Sequence, residues 1–470
     1  MPLISDAVRL LPGDDGRRYY APWRPDPRPF SGLLHGTYAF LGVVRYWRRQ
    51  RWLERGEHAL AAHAAARLPA NDPRPAGSGR MSPSAPREAL PFREFVLKIH
   101  SRCNLACDYC YVYEMGDRSW RDRPVAMPAE VVDAAARRIG DHVRRHALPS
   151  VEVVLHGGEP LLAAPPLIER VVRSVRAEGV AASFFVQTNG TRLTGARLAQ
   201  LDRLGVRIGV SVDGDASAQD RHRRLPDGRG SHASVSAALD ALSTGPYRHL
   251  FSGILCTIDL RNDPVATYEA LLRHRPPRVD FLLPHGTWSA PPPGRAEGSP
   301  ATPYADWLIE IFDRWYGAAE PPADVRTFSD LLTLLLGGAV GNEGLGLAPV
   351  RYAVIETDGA IEHSDLLKPV TAASAGTGLN VLRDSLEAAR ALPSAVERQL
   401  GAAGLCERCR ACRLVAVCGG GLQAHRYRQG TGFDNPTVYC PDMIRLIEHV
   451  RGRVTEDLAA ARPSERGPAV

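Results

Sequence analysis

Three cysteines stand at 103, 107 and 110 in the run HSRCNLACDYCYVYE. A structural zinc site wants four ligands, so this C-x3-C-x2-C loop is either one short or deliberately incomplete. Three thiolates suit a 4Fe-4S cluster, in which Cys103, Cys107 and Cys110 would each bind one iron and leave the fourth iron open. The competing reading is a Cys3His zinc site closed by His100 or by a distant ligand. Further along, Cys409, Cys412 and Cys418 form C-x2-C-x5-C, and Cys440 follows; Cys406 is an extra thiol ahead of them. A zinc ribbon competes for these last cysteines too. Cys256 lies alone in the apolar run FSGILCTI and reads as a core residue.

Such clusters need a scaffold, and the sequence supplies one from Phe95 onward. Short β-rich runs alternate with amphipathic stretches: FVLKIH, a helix over 129–146, VEVVLH, a helix over 166–178, ASFFVQ, and a helix over 194–204. VRIGVSV, a helix over 232–243, FSGILCTI, a helix over 265–274 and VDFLLP complete the series. Six such units predict an α/β fold, a partial (β/α)6 barrel of TIM type with helices outside. The unusual motifs all follow strands: the cysteines after FVLKIH, GGEP after VEVVLH, QTNG after ASFFVQ, and DG after VRIGVSV. In barrels of this kind chemistry sits on the rim where strands end. Each motif taken singly is also an ordinary turn sequence.

Motif order carries a resemblance. C-x3-C-x2-C with Tyr109 before its last cysteine, then HGGEP, QTNG and SVDG, resembles the radical S-adenosylmethionine (SAM) superfamily. The resemblance implies that the open iron chelates the methionine moiety of SAM and that one electron yields a 5′-deoxyadenosyl radical. It also implies cofactor contacts for Tyr109, Gly157, Gly158, Glu159, Asn189, Ser211, Asp213 and Arg223. Gly157 and Gly158 would let backbone approach the cofactor, Glu159 would accept from its ammonium, and Asn189, Ser211 and Asp213 would meet the carboxylate or ribose. Arg223, with Arg221 and Arg224 close by, would hold the carboxylate.

The second cysteine cluster resembles the SPASM extension of peptide-modifying radical enzymes. Cys409, Cys412, Cys418 and Cys440 match the ligands of one auxiliary 4Fe-4S cluster. The ligands of the other are missing: Ser364 in TDGAIEHS and Leu422 in CGGGL stand where cysteines are expected, so that cluster is expected to be absent. Cys406 either replaces Cys409 or is a spare buried thiol. Longer stretches, among them DFLLPHGTW, TPYADWL and IETDGAIEHSDLLK, resemble FxsB-type maturases over residues 92–445. That implies a carbon–carbon crosslink, a cyclophane, between an aromatic ring and the β-carbon of a nearby residue in a ribosomal precursor peptide. The auxiliary cluster would take the last electron, and a flavodoxin- or ferredoxin-type protein would donate the first. His285 is the candidate base for the ring proton, with His425 and Asp434 as rivals. The alternatives are thioether formation (sactipeptide type) and a zinc-stabilised peptide-binding module without radical chemistry.

Boundaries follow composition. Residues 1–67 form a partly helical extension in which Arg45, Arg48, Arg49 and Arg51 mix with Tyr46, Trp47 and Trp52, read as a solvated face. Residues 68–91, rich in proline, glycine and serine, read as a linker. Then come the barrel at 92–300, a bridging region with helices and a β-hairpin at 301–400, the SPASM-like segment at 401–445, and a C-terminal helix and tail at 446–470. The net charge of +6, offset by 52 acids, does not point to nucleic acid; the first residues lack the charged start and apolar core of a secretory signal, and the longest apolar stretch, near Tyr38 to Val44, is short of a bilayer span, so neither is expected. Clustered rather than dispersed cysteines fit a reducing compartment, so a cytoplasmic enzyme is expected.

Overall fold

The computed structural model describes residues 89–371 and 373–460, together with one short antiparallel pairing of Arg18–Tyr19 with Arg28–Pro29. The basic stretch around Arg45 to Trp52 and the linker up to residue 88 lie outside the described residues. The chain divides into two units, 1–75 with 449–470, and 76–448, and all nine cysteines belong to the second.

The centre of that second unit is a ten-stranded sheet. Strands β1 (Glu94–His100), β2 (Val151–Gly157), β3 (Ala182–Thr188), β4 (Val206–Ser211), β5 (Phe251–Thr257) and β6 (Arg278–Leu282) are parallel neighbours in that order. The crossovers carry helices α1 (Ala129–Arg145), α2 (Pro165–Ala177), α3 (Gly195–Leu204), α4 (Ala216–His222), α5 (His232–Thr244) and α6 (Pro264–Leu272). All six predicted strands and five predicted helices are present, α4 being the addition. Local signals place the helix starts: Thr194, Asp215 and Asp263 each accept a backbone N–H three residues on.

Alternation divides each strand between two environments. Phe95, Leu97 and Ile99 of β1, Val153 and Leu155 of β2, and Ile208 and Val210 of β4 are at most 1% exposed. These residues form the core under the helices, such as Val132, Ala135 and Ile139 of α1. The opposite face, including Val96, Val154, Gln187 and Leu255, lines a cavity of about 1970 Å3.

The barrel stays open because β1 does not meet β6. Its second neighbour is β8 (Tyr352–Ile355), in parallel register with Tyr352 opposite Glu94. The predicted hairpin follows directly: β8 turns through Gly359, whose φ of +85° suits glycine, into β9 (Ala360–Glu362), and β10 (Gly376–Asn380) adds the edge. At the other end α7 (Pro303–Gly317) leads to β7 (Asp324–Val325), which pairs with β6, and then to α8 (Arg326–Leu335). Short helices α9 (Leu386–Arg390) and α10 (Pro393–Glu397) precede the cysteine-rich segment. The helix expected within 446–470 begins earlier, at Cys440. No helix among the described residues is long and apolar enough to cross a membrane.

Candidate active site

The cysteine loop leaves β1 and curls over the cavity mouth. Its turns are closed by Cys110 N–H to the Cys107 carbonyl (3.1 Å) and Glu114 N–H to the Cys110 carbonyl (2.8 Å), and Ala106 N–H ties it to the Arg224 carbonyl (2.7 Å). Cys103, Cys107 and Cys110 all line the cavity. Burial pushes the Cys103 and Cys107 thiols up to about 12 and raises Cys110 as well, so as thiols they stay protonated, whereas a coordinated metal would deprotonate them. Among the described residues no three of the cysteine sulfurs lie within 4.8 Å of one another. A tetrahedron of ~2.3 Å zinc–sulfur bonds needs sulfurs about 3.8 Å apart, so the spread is wider than one zinc ion requires. His100, the alternative zinc ligand, directs Nδ1 at the Arg102 backbone, 3.0 Å from its carbonyl and 3.3 Å from its N–H.

The GGEP turn differs from the sequence reading in two respects. A Cβ on Gly158 would come 1.8 Å from the Tyr113 hydroxyl and 2.5 Å from the Arg102 carbonyl, and one on Gly157 would come 2.1 Å from the His100 carbonyl. What needs the glycines is thus the close approach of the cysteine loop, although both also line the cavity. Glu159 is fully buried and accepts from Leu161 N–H (2.9 Å), the Thr188 hydroxyl (2.7 Å) and Asn189 N–H (2.7 Å). Its carboxylate is committed to joining two turns and does not face the cavity, which corrects its assignment to the ammonium.

Asn189, Ser211, Asp213, Arg223 and Tyr109 do converge on the cavity. Asn189 Nδ2 reaches Asn104 (3.0 Å) and the Cys103 sulfur (3.7 Å), joining the QTNG turn to the cysteine loop. Ser211 accepts from Gln187 (2.9 Å). Asp213 Oδ1 accepts from Thr257 N–H (3.0 Å), while Oδ2 takes both the Tyr109 hydroxyl and Arg223 Nε (2.8 Å). Burial opposes the Arg223 charge, but Asp213 holds it strongly cationic. Geometry separates the three arginines: Arg221 pairs with Asp259 (2.7 Å) and Arg224 bonds backbone carbonyls. Of the three only Arg223 lines the cavity.

His285, after β6, lies 4.6 Å from the Tyr111 ring and 5.7 Å from the His425 ring. Burial lowers His285 to about 4 and pushes His425 well down, so both are neutral imidazoles near pH 7. His285 Nδ1 and His425 Nε2 have no hydrogen-bond partner. Asp434, the third candidate base, is exposed and does not line the cavity, so it is not placed to take a proton there.

Behind these rings is a polar network that sequence reasoning missed. Lys98, 2% exposed, donates to Asp365 (2.5 Å) and lies 2.9 Å from His156 Nδ1, and the Tyr111 hydroxyl also donates to Asp365 (2.9 Å). Burial alone would raise Asp365, but Lys98, His156 and the two hydrogen bonds hold its carboxyl below the usual carboxylate range. A polar residue in the otherwise apolar run FVLKIH was the available signal. Ser364, beside it, caps Leu366 N–H (3.2 Å) and bonds the Tyr352 hydroxyl.

Cys409, Cys412, Cys418 and Cys440 gather around the start of the C-terminal helix. Burial, then Cys406, Cys418 and Cys440, raise Cys409 to about 12; burial, with Cys440 and Cys412, raises Cys418 to about 11. Cys406 is buried within hydrogen-bonding reach of Cys409, so five thiols share this neighbourhood. Cys256 is buried in β5, as expected of a core residue.

The three thiols of the first loop and the polar wall of Asp213 and Arg223 thus face one cavity in an open parallel barrel. Residues 97–256 match the family model of the Radical SAM superfamily, and the protein is an enzyme that uses radical chemistry. The Serine-type anaerobic sulfatase-maturating enzyme of Klebsiella aerogenes is 25% identical over 360 residues, 72% of this chain and 82% of that one. The Cysteine-type enzyme of Clostridium perfringens is 23% identical over 275 residues, 56% and 72% of the two chains. Among solved structures, native anSMEcpe with bound AdoMet and Cp18Cys peptide is similar in fold, with a TM-score of 0.65 at 20% identity over 78% of this chain and 99% of that one. Streptococcus suis SuiB bound to S-adenosylmethionine gives 0.50 at 12% identity, covering 75% and 77%.

Proposed function

We propose that the protein is a radical SAM maturase of a ribosomally synthesised peptide, closing a carbon–carbon crosslink between an aromatic ring and the β-carbon of a nearby residue. The observation that carries this reading is a single cavity of about 1970 Å3 shared by the three loop cysteines, the Asp213–Arg223 wall and the His285–His425 pair. Small-molecule sites are usually ~300–1,000 Å3; this one has room for a cofactor and a peptide segment together. The C-x3-C-x2-C loop is closed by its own backbone bonds and its three cysteines line that space, which suits a 4Fe-4S cluster on Cys103, Cys107 and Cys110. With SAM bound, the pair supplies removal of one hydrogen atom from a peptide carbon. Arg223, reaching Asp213 through Nε, presents the rest of its guanidinium for the carboxylate of SAM, and Asn189, Ser211 and the Tyr109 ring wall the remainder.

The chain's own residues then serve the closing steps. His285, neutral and with Nδ1 unpartnered, accepts the proton released when the crosslinked ring regains aromaticity. Cys409, Cys412, Cys418 and Cys440 would hold the auxiliary 4Fe-4S cluster that accepts the accompanying electron, with a flavodoxin- or ferredoxin-type donor priming the first. Ser364 is engaged with Tyr352 and Leu366, in keeping with loss of the other auxiliary cluster. That loss separates this reading from sulfatase maturation.

The test is co-expression with each short reading frame beside the gene and mass analysis of the peptides. Loss of two hydrogens per motif with fragmentation blocked between the joined residues supports the crosslink. Hydrogen loss that requires a substrate cysteine moves the reaction to thioether formation, and an unchanged mass with every candidate peptide refutes the proposal.

A further inference from the structure

Outside the cavity, helix α1 carries His142, and His146 caps its C-terminal end one turn on, with ring centroids 4.7 Å from each other. Glu387, second residue of α9, faces both, and the ligand atoms of the three residues lie within 4.8 Å of one another. We propose that His142, His146 and Glu387 form a metal-binding clip, taking one zinc-like divalent ion, that fastens α1 to the segment leading into the cysteine-rich region.

One carboxylate oxygen meets both imidazoles. Glu387 Oε1 is 2.6 Å from His142 Nδ1 and 2.9 Å from His146 Nε2. The other nitrogen of His142, Nε2, is 3.2 Å from the Phe92 carbonyl, which can only accept. In the tautomer that serves this carbonyl, Nε2 carries the hydrogen and the Nδ1 lone pair faces a carboxylate oxygen. Two acceptors at that separation need a cation between them, a proton or a metal ion. A backbone carbonyl that fixes the distal N–H is also the arrangement that orients metal-ligating histidines.

The surroundings suit a three-ligand site with an open position. Phe92 stacks on His142 at 5.7 Å and Phe95 meets it edge-on at 5.8 Å, closing one side. His146 and Glu387 remain 17% and 19% exposed, leaving the other side for a water ligand. Arg390 holds Oε2 through Nε (2.9 Å) and Nη2 (2.8 Å), so Oε1 alone points at the imidazoles. Arg145 is 3.9 Å from Oε2. These two cations orient the carboxylate and also weaken the affinity for a second positive charge, so filling the site requires added metal. Two nitrogens and one oxygen favour zinc and its transition-metal neighbours over magnesium or calcium. With bonds of ~2.0–2.1 Å the ligand atoms would part to about 3.3 Å, from 2.6 and 2.9 Å, an opening of about 0.7 and 0.4 Å.

The test uses untagged, anaerobically purified, cluster-loaded protein titrated with zinc, with zinc, iron and sulfide counted after desalting and the thermal midpoint recorded. The expected result is one zinc equivalent beyond the iron and a raised midpoint. H146A and E387Q should lose that equivalent with iron and sulfide unchanged, and H146C should keep it. Wild-type protein that takes no zinc, or variants that take as much as wild type, would overturn the proposal and leave a proton as the bridge. Unchanged iron and sulfide in H146C guards against misfolding as the cause of any loss.

Discussion

Lys98 and Asp365 form the ion pair whose removal should be felt most widely. They are joined at 2.5 Å with side chains only 3% and 10% exposed. They also bridge β1 to the segment after β9, 267 positions apart in sequence. In Lys98→Met the Asp365 carboxylate keeps the Tyr111 hydroxyl as its hydrogen-bond donor, and in Asp365→Asn the Lys98 ammonium keeps His156 and a neutral amide oxygen in place of its counter-ion. Each single change leaves an uncompensated buried charge, which costs about 3–5 kcal/mol. The double variant removes both charges together, so its cost should fall well short of the sum, with a coupling of at least about 2 kcal/mol. The assay is anaerobic urea unfolding of the cluster-loaded protein, followed by circular dichroism, for wild type, both singles and the double. Singles costing under about 1 kcal/mol, or a strictly additive double, would refute the reasoning. The pH dependence has a definite sign: the Asp365 carboxyl is held below its ordinary range, so its contribution is present above about pH 4 and is lost as pH falls.

Gly158→Ala should displace the cysteine loop, because its Cβ would lie 1.8 Å from the Tyr113 hydroxyl; reconstituted iron should fall by about half if each of two clusters holds four irons. Cys412→Ser should remove about half of the iron while leaving SAM binding in place, and comparing Cys406→Ser with Cys409→Ser by iron count decides which thiol is the ligand. Arg223→Lys should weaken SAM binding about 10-fold or more, the scale of a lost charge-assisted contact of ~1.5–3 kcal/mol. Arg221→Lys should change it little, since Arg221 faces Asp259. For His285, lowered to about 4 by burial, the unfolded chain binds the proton first as pH falls. Stability should therefore drop between about pH 6.5 and 4 by up to ~3 kcal/mol from this residue, a slope that His285→Gln should flatten in acid-unfolding curves.

The elements legible in the sequence were those written by local rules. Strand alternation and helix caps act over a few residues, so the six strands and the helix starts could be read directly, as could the cysteine loop. Contacts between distant segments could not. Lys98 in FVLKIH looked like one polar residue in an apolar strand; its partner Asp365 follows β9, and the parallel pairing of β8 with β1 that brings it near has no local signature. Glu159 shows the converse: its motif was recognisable, but burial and three hydrogen bonds from two different turns decide where its carboxylate points. Spacing alone does not separate Arg223 from Arg221 and Arg224, because all three sit at the C-terminal end of α4 and only their partners, Asp213, Asp259 and backbone carbonyls, tell them apart.

The open barrel also explains why the C-terminal half belongs to the site. Had β6 closed onto β1, the space beside the cysteine loop would be filled by strand side chains, as in a complete barrel. With β8 in that place, the hairpin brings Ser364 and Asp365 against Lys98 and Tyr111. Bonds that pin the loop after β6 to the cysteine-rich segment include Trp288 N–H to the Tyr427 carbonyl (2.9 Å), Trp288 Nε1 to the Pro436 carbonyl (2.7 Å), and the Tyr439 hydroxyl to the Pro284 carbonyl (2.6 Å). These bonds flank His285 and hold it against His425, with Tyr439 packed 5.0 Å behind. A chain cut after the sixth strand would keep the three loop cysteines and Arg223, yet lose His425, Asp365 and the wall that confines a substrate. Its barrel would retain the residues proposed to hold SAM without the surface that positions a peptide carbon beside it.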